Sequence, residues 1–145
     1  MLVTIGPITL DVDVAATRSF YQTSSGYIDC TCAGCRNFPL AAPHMPAALL
    51  DALHQLGVDP LNPAEQWVNC ASADGKAALY GGFYHVCGRI VNSESRWLTP
   101  DLTLLVREDC SLLSPDFPRP CFELEFCCFL PWMLETPSTD SYPSV

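Results

Sequence analysis

The stretch from Trp67 to Val91 restricts the fold of this chain more than any other. Trp67 to Ala71 is rich in strand-forming residues, Asp74-Gly75 follows, and Ala77 to Val91 returns as a long aromatic and β-branched run. Asp-Gly between two such runs marks a hairpin, because the tight turn needs positive φ and these residues adopt it at low cost. Period-two alternation in the returning strand puts Tyr80, Tyr84, Val86 and Ile90 on one face. It puts Leu79, Phe83, His85, Cys87 and Arg89 on the other. Gly81, Gly82 and Gly88 within the run predict a bulge, which would exchange the faces, or close backbone contact.

Ile8, Leu10 and Val12 alternate with Thr9 and Asp11 as a half-buried strand. Leu102 to Arg107 is a further strand, and Cys121 to Leu130 is the last. The last strand places Phe122, Leu124, Phe126 and Cys128 inward and leaves Glu123 and Glu125 on the solvent side. Asp13 is positioned to cap a helix over Val14 to Gln22, with Gly26 as its stop. Ala47 to Leu56 has Leu49, Leu53 and Leu56 at helical spacing, and Gly57-Val58 fits a left-handed cap with its apolar contact. Asn62-Pro63-Ala64-Glu65 has the pattern of another helix start. Pro39, Pro43 and Pro46 predict irregular chain between the cysteine-rich segment and Ala47. The expected fold is α+β: a twisted antiparallel sheet of about five or six strands, with two or three short helices mostly in the N-terminal half. Residues 1–135 are expected to form a single globular domain and 136–145 a loose tail of proline, serine and threonine.

The densest chemistry lies in Asp29-Cys30-Thr31-Cys32-Ala33-Gly34-Cys35-Arg36-Asn37, with three thiols in six residues. Cys32 and Cys35 form a C-x-x-C step, whose turn brings two sulfurs within reach of one tetrahedral ion, and Gly34 eases that turn. Arg36 and Asn37 are placed to donate hydrogen bonds to the thiolates. A structural zinc site takes four ligands, so the fold would have to bring in His44, His85, Cys87 or Cys70, with His44 or His85 preferred. Zinc is the expected ion because thiolate tetrahedra suit it and it carries no redox chemistry. Reduced thiols packed as small hydrophobes rank first by a narrow margin, with the metal site next. Thiol redox chemistry ranks last, since a thioredoxin-like motif opens a helix after a strand and Pro39 argues against a helix here.

The net charge is −9, from 16 carboxylates against 7 basic residues, and Lys76 is the sole lysine. Such a balance excludes docking on phosphate backbones and on anionic lipid, both of which need a basic face. No stretch reaches the roughly 18 apolar residues of a membrane span. The first ten residues lack a basic residue, and Thr4, Gly6 and Pro7 break their apolar run, so no signal peptide is expected. The expected location is the cytoplasm, with the nine cysteines reduced. The chain has no glycine-rich phosphate loop, nucleophile elbow or H-E-x-x-H helix.

Taken in order, several motifs resemble a small bacterial family of uncharacterised function. They are Asp13-Val14-Ala15-Ala16-Thr17-Arg18-Ser19-Phe20-Tyr21, the C-x-C-x-x-C-R-N-F run from Cys30 to Phe38, and Leu56-Gly57-Val58-Asp59-Pro60. Tyr80-Gly81-Gly82-Phe83-Tyr84-His85-Val86 follows, then Phe122-Glu123-Leu124-Glu125-Phe126 and Leu130-Pro131-Trp132. The resemblance implies one compact domain of bacterial type and brings no reaction, ligand or partner.

Together these features favour a non-enzymatic interaction or accessory module, with zinc held by Cys30, Cys32, Cys35 and one of His44 or His85. The alternative is a small-molecule or catalytic pocket on the sheet around Tyr80, Phe83, Tyr84, His85, Cys87, Arg89 and Trp132. From the charge balance, binding to duplex DNA or to RNA at physiological salt is expected to be undetectable in a fluorescence anisotropy titration. A tight, salt-sensitive complex would overturn that expectation.

Overall fold

A computed structural model describes residues 1–24 and 30–135; Gly26 and the 136–145 tail lie outside the described residues. The chain opens with a hairpin, β1 (Leu2–Ile5) and β2 (Ile8–Val12), followed by helices α1 (Val14–Thr23), α2 (Ala33–Ala41) and α3 (Ala47–Leu56). Then come β3 (Glu65–Ala71), β4 (Ala77–Ile90), β5 (Arg96–Leu98), β6 (Thr103–Arg107) and β7 (Cys121–Pro131). The seven strands form one sheet in the order β1-β2-β4-β7-β6-β5, with β3 also paired to β4, and every pairing is antiparallel. The class is α+β as expected, with more strands than the sequence pattern revealed. The additional ones, β1 and β5, are short edge strands of four and three residues. The three helices follow the first hairpin and do not open the chain.

β4 is the spine of the sheet. One edge pairs with β7 from Ala77 to Cys87. The other edge pairs with β3 as far as Phe83 and with β2 from Gly88 onward. Between those two partners α1 does the work of a strand. The Tyr21 hydroxyl donates to the His85 carbonyl at 2.7 Å and accepts from the His85 N–H at 3.1 Å. Thr17 Oγ1 accepts from the Cys87 N–H at 3.0 Å, and the Asp13 N–H donates to the Cys87 carbonyl at 2.9 Å. Buried backbone groups need such partners, so a tyrosine and a threonine are buried where no strand reaches. Asp13 also caps α1 through Oδ1, as expected.

Registered partners share a face, so Tyr80, Tyr84 and Val86 line up with Cys128, Leu124 and Phe122. This face joins Phe38, Leu49, Leu53 and Leu56 of the helices in one hydrophobic core. The α3 helix ends at Gly57 with φ 82°, and Val58 is buried beside it. Close contact at the β4 glycines is real. A Cβ on Gly81 would lie 2.7 Å from the Trp67 indole, and one on Gly88 would lie 2.2 Å from the Asp11 carbonyl oxygen. The bulge falls on the neighbouring β3 instead, between Val68 and Cys70.

Two expectations fail. Asn62 to Glu65 starts no helix: the Ala64 N–H donates to the Phe83 carbonyl, and Glu65 already begins β3. Pairing with β4 overrides the local capping pattern. The segment after Cys32 is also not irregular, because Pro39 lies inside α2 and a 3-10 turn covers Ala42–His44.

Tyr21→Phe keeps the ring and removes the hydroxyl that bridges both His85 backbone groups. Urea titration is expected to show a loss of about 1–3 kcal/mol. An unchanged midpoint would mean that the α1 bridge contributes nothing.

Candidate metal centre

Proline inside a nine-residue helix costs one backbone hydrogen bond, so something else must hold α2 in place. Phe38 and Asn37 do so, both fully buried. Asn37 Nδ2 donates to the Tyr80 hydroxyl at 3.2 Å and to the Pro131 carbonyl at 3.1 Å, while Oδ1 accepts from the Met133 N–H at 2.7 Å. Tyr80 in turn donates to the Gly34 carbonyl at 2.6 Å. The first turn of α2 is thereby fastened to β4 and to the end of β7. These bonds also correct the expected role of Asn37: its amide serves the sheet and not the thiolates. Arg36 donates from Nε to the Thr31 carbonyl at 3.1 Å, between Cys30 and Cys32.

Cys32 is the N-cap of α2, and its Sγ accepts from the Cys35 N–H at 3.4 Å. Cys35 sits on the first turn, and Cys30 lies just upstream. The three sulfurs lie within 4.8 Å of one another. Sulfurs around a tetrahedral zinc, with Zn–S near 2.3 Å, are separated by about 3.8 Å, so small side-chain rotations would close the set. Cys30 and Cys32 are exposed and Cys35 is half-buried. Gln66 of β3 donates from Nε2 to Cys35 Sγ at 3.3 Å. The Gln66 side chain is buried, and its Oε1 has no hydrogen-bond partner among the described residues. An amide N–H aimed at sulfur favours the thiolate over the thiol. Burial, and then the hydrogen bonds of Cys30 and Cys32, push the Cys35 thiol up to about 12. The Cys35 thiol resists ionisation by itself; a divalent cation reverses that preference.

Neither preferred histidine contributes to this group of ligand atoms, and nor do Cys70 and Cys87. His44 is exposed at the end of the 3-10 turn and lines a 560 Å³ cavity with Leu79, Thr103 and Cys127. His85 Nε2 lies 3.3 Å from Glu123 Oε1 beneath the sheet surface. Sequence spacing carries no information on such tertiary placement. Gln66 escaped notice for the same reason. Its only signal was an isolated polar side chain at an inward position of the β3 alternation.

Among the described residues, those named for the alternative pocket do not share one face. Tyr80 and Tyr84 are wholly buried in the core, and Phe83, His85 and Cys87 are buried on the other face. Cys87 and Arg89 do line a 540 Å³ cavity, together with Asp11, Asp13 and Arg119. Glu123 departs from its expected solvent position. It is 2% exposed, and it accepts from the Ser111 N–H at 2.9 Å and lies 3.5 Å from Arg107 Nε. The segment between β6 and β7 covers it, and Phe117 of that segment lies against His85, Phe20 and Tyr21. Glu125 behaves as expected at the rim, paired with Arg107.

No helix among the described residues is long and apolar enough to cross a membrane. No protein-family model matches the chain, and no curated protein or solved structure matches it either.

Burial lowers the His85 pKa below its ordinary 6.5, against the pull of Glu123 and the Ser111 backbone. In the unfolded chain His85 titrates near 6.5, so below that pH the unfolded state binds a proton that the folded state refuses. Its contribution to stability is full above 6.5 and is lost as pH falls through the folded value. His85→Gln is expected to flatten the stability profile below about pH 6.5. Urea midpoints that keep the wild-type slope would assign it to other groups.

Proposed function

We propose that this chain is a non-enzymatic accessory or interaction module in which Cys30, Cys32 and Cys35 hold a structural zinc ion. The observation that carries the reading is the convergence of three sulfurs at the start of α2. The Gln66 amide directed at Cys35 supports it, since that bond is worth most when the sulfur is an anion. Zinc suits three thiolates at tetrahedral spacing, and a fourth donor from outside the triad completes the site. The ion would tie the chain entering α2 to the helix that Asn37 and Tyr80 fasten to the sheet. An enzymatic role has less support, because the polar groups beneath the sheet are buried and already paired. A reducing compartment such as the cytoplasm keeps the triad as thiols available to metal.

Protein purified without chelator or a metal-affinity column is expected to contain about one zinc per chain. Cys35→Ser should reduce that to less than about a tenth and lower the melting temperature in parallel, because metal binding and folding are coupled. Binding should weaken as pH falls, since each ligand sulfur must lose its proton. Metal-free protein that melts at the same temperature as the purified form would return the triad to simple packing.

A further inference from the structure

A second pair of cysteines lies far along the chain from the α2 triad. Cys110 follows β6, and Cys121 is the first residue of β7. Their sulfurs are 3.9 Å apart, in van der Waals contact, and both residues are half-buried. A disulfide needs about 2.05 Å, so each sulfur has to move by only about 1 Å. Cys121 lines a 350 Å³ cavity whose wall also contains Arg89, Glu108 and Pro120. A small molecule in that cavity would lie beside Cys121. Arg89 and Glu108 are the charged residues on that wall. A ligand that satisfies both carries a carboxylate and an ammonium.

We propose that Cys110 and Cys121 are a thiol–disulfide exchange site for a small zwitterionic disulfide. The Cys121 thiolate attacks one sulfur of the incoming disulfide, whose S–S bond breaks and releases the first small thiolate. The Cys110 thiolate then attacks the Cys121 sulfur of the mixed disulfide and expels the second. Two protein thiols are oxidised to one disulfide, the small disulfide is reduced to two thiols, and the two thiol protons pass to the departing thiolates. Cys110 is the second nucleophile, because it is absent from the cavity wall that Cys121 shares. Burial, then Cys121 and Glu123, push its thiol up to about 12 against the pull of Arg119. The closing step is accordingly slow at neutral pH and quickens as pH rises. The bond closes the 110–121 segment on itself, the segment that sets Ser111 on Glu123 and Phe117 on His85.

The test is exposure of the purified protein to oxidised glutathione, with acid quench, alkylation and peptide mapping by mass spectrometry. The expected product is a Cys110–Cys121 disulfide without retained glutathione. Cys110→Ser should instead trap glutathione on Cys121. Arg89→Gln should slow the reaction with oxidised glutathione several-fold and leave that with the uncharged hydroxyethyl disulfide unchanged. Thermal melts of both variants in the reduced state check that they fold; if Cys110→Ser does not, wild-type mapping and Arg89→Gln decide alone. A Cys87–Cys121 product, oxidation confined to the α2 triad, or equal slowing of both reagents by Arg89→Gln would overturn the proposal.

Discussion

The fourteen residues of β4 carry hydrogen-bonding groups on both edges, and most other elements are placed by how those groups are satisfied. β7 takes one edge over eleven registered pairs. The other edge is divided among β3, the side chains of α1, and β2. This division explains why a helix lies in what would otherwise be a gap in the sheet. It also explains why both faces of β4 are buried from Tyr80 to Gly88: the helices cover one, and Trp67, Phe117 and the β6–β7 segment cover the other.

The same strand anchors the cysteine triad. Tyr80 projects from β4 to hold the Gly34 carbonyl, and Asn37 joins that hydroxyl to the end of β7. Helical geometry then fixes Cys32 and Cys35 relative to one another, while Gln66 approaches from β3. Rigid sheet, pinned helix and converging sulfurs form one mechanical chain. Without it, spacing would bring the three sulfurs near one another but hold them in no fixed arrangement.

The hairpin at Asp74-Gly75, the strand β2, the capped α1 and the leucine-rich α3 were legible because each is specified within a few residues. Ser72 and Asp74 bond within their own turn, and Asp13 bonds within its own helix start. What was not legible depends on distant partners. Pro39 reads locally as a breaker, yet Phe38 and Asn37 bury enough surface and make enough bonds to keep α2 helical. Glu123 reads as a solvent-facing carboxylate until the β6–β7 segment folds over it. The convergence of Cys30, Cys32 and Cys35 followed from spacing, whereas their Gln66 partner is contributed by a strand 31 residues beyond Cys35.

The sheet is open, and its exposed edges behave differently from its packed interior. β1 has four residues and β5 three, each too short to offer a long ladder to an incoming strand. β3 is longer, but its register shifts between Val68 and Cys70, and that bulge breaks the regular strand. Among the described residues, these three strands thus carry a built-in deterrent to recruiting strands from other molecules. A protein with half its residues apolar and few charges has need of one, since growth of the sheet from chain to chain would be its easiest route to fibrils.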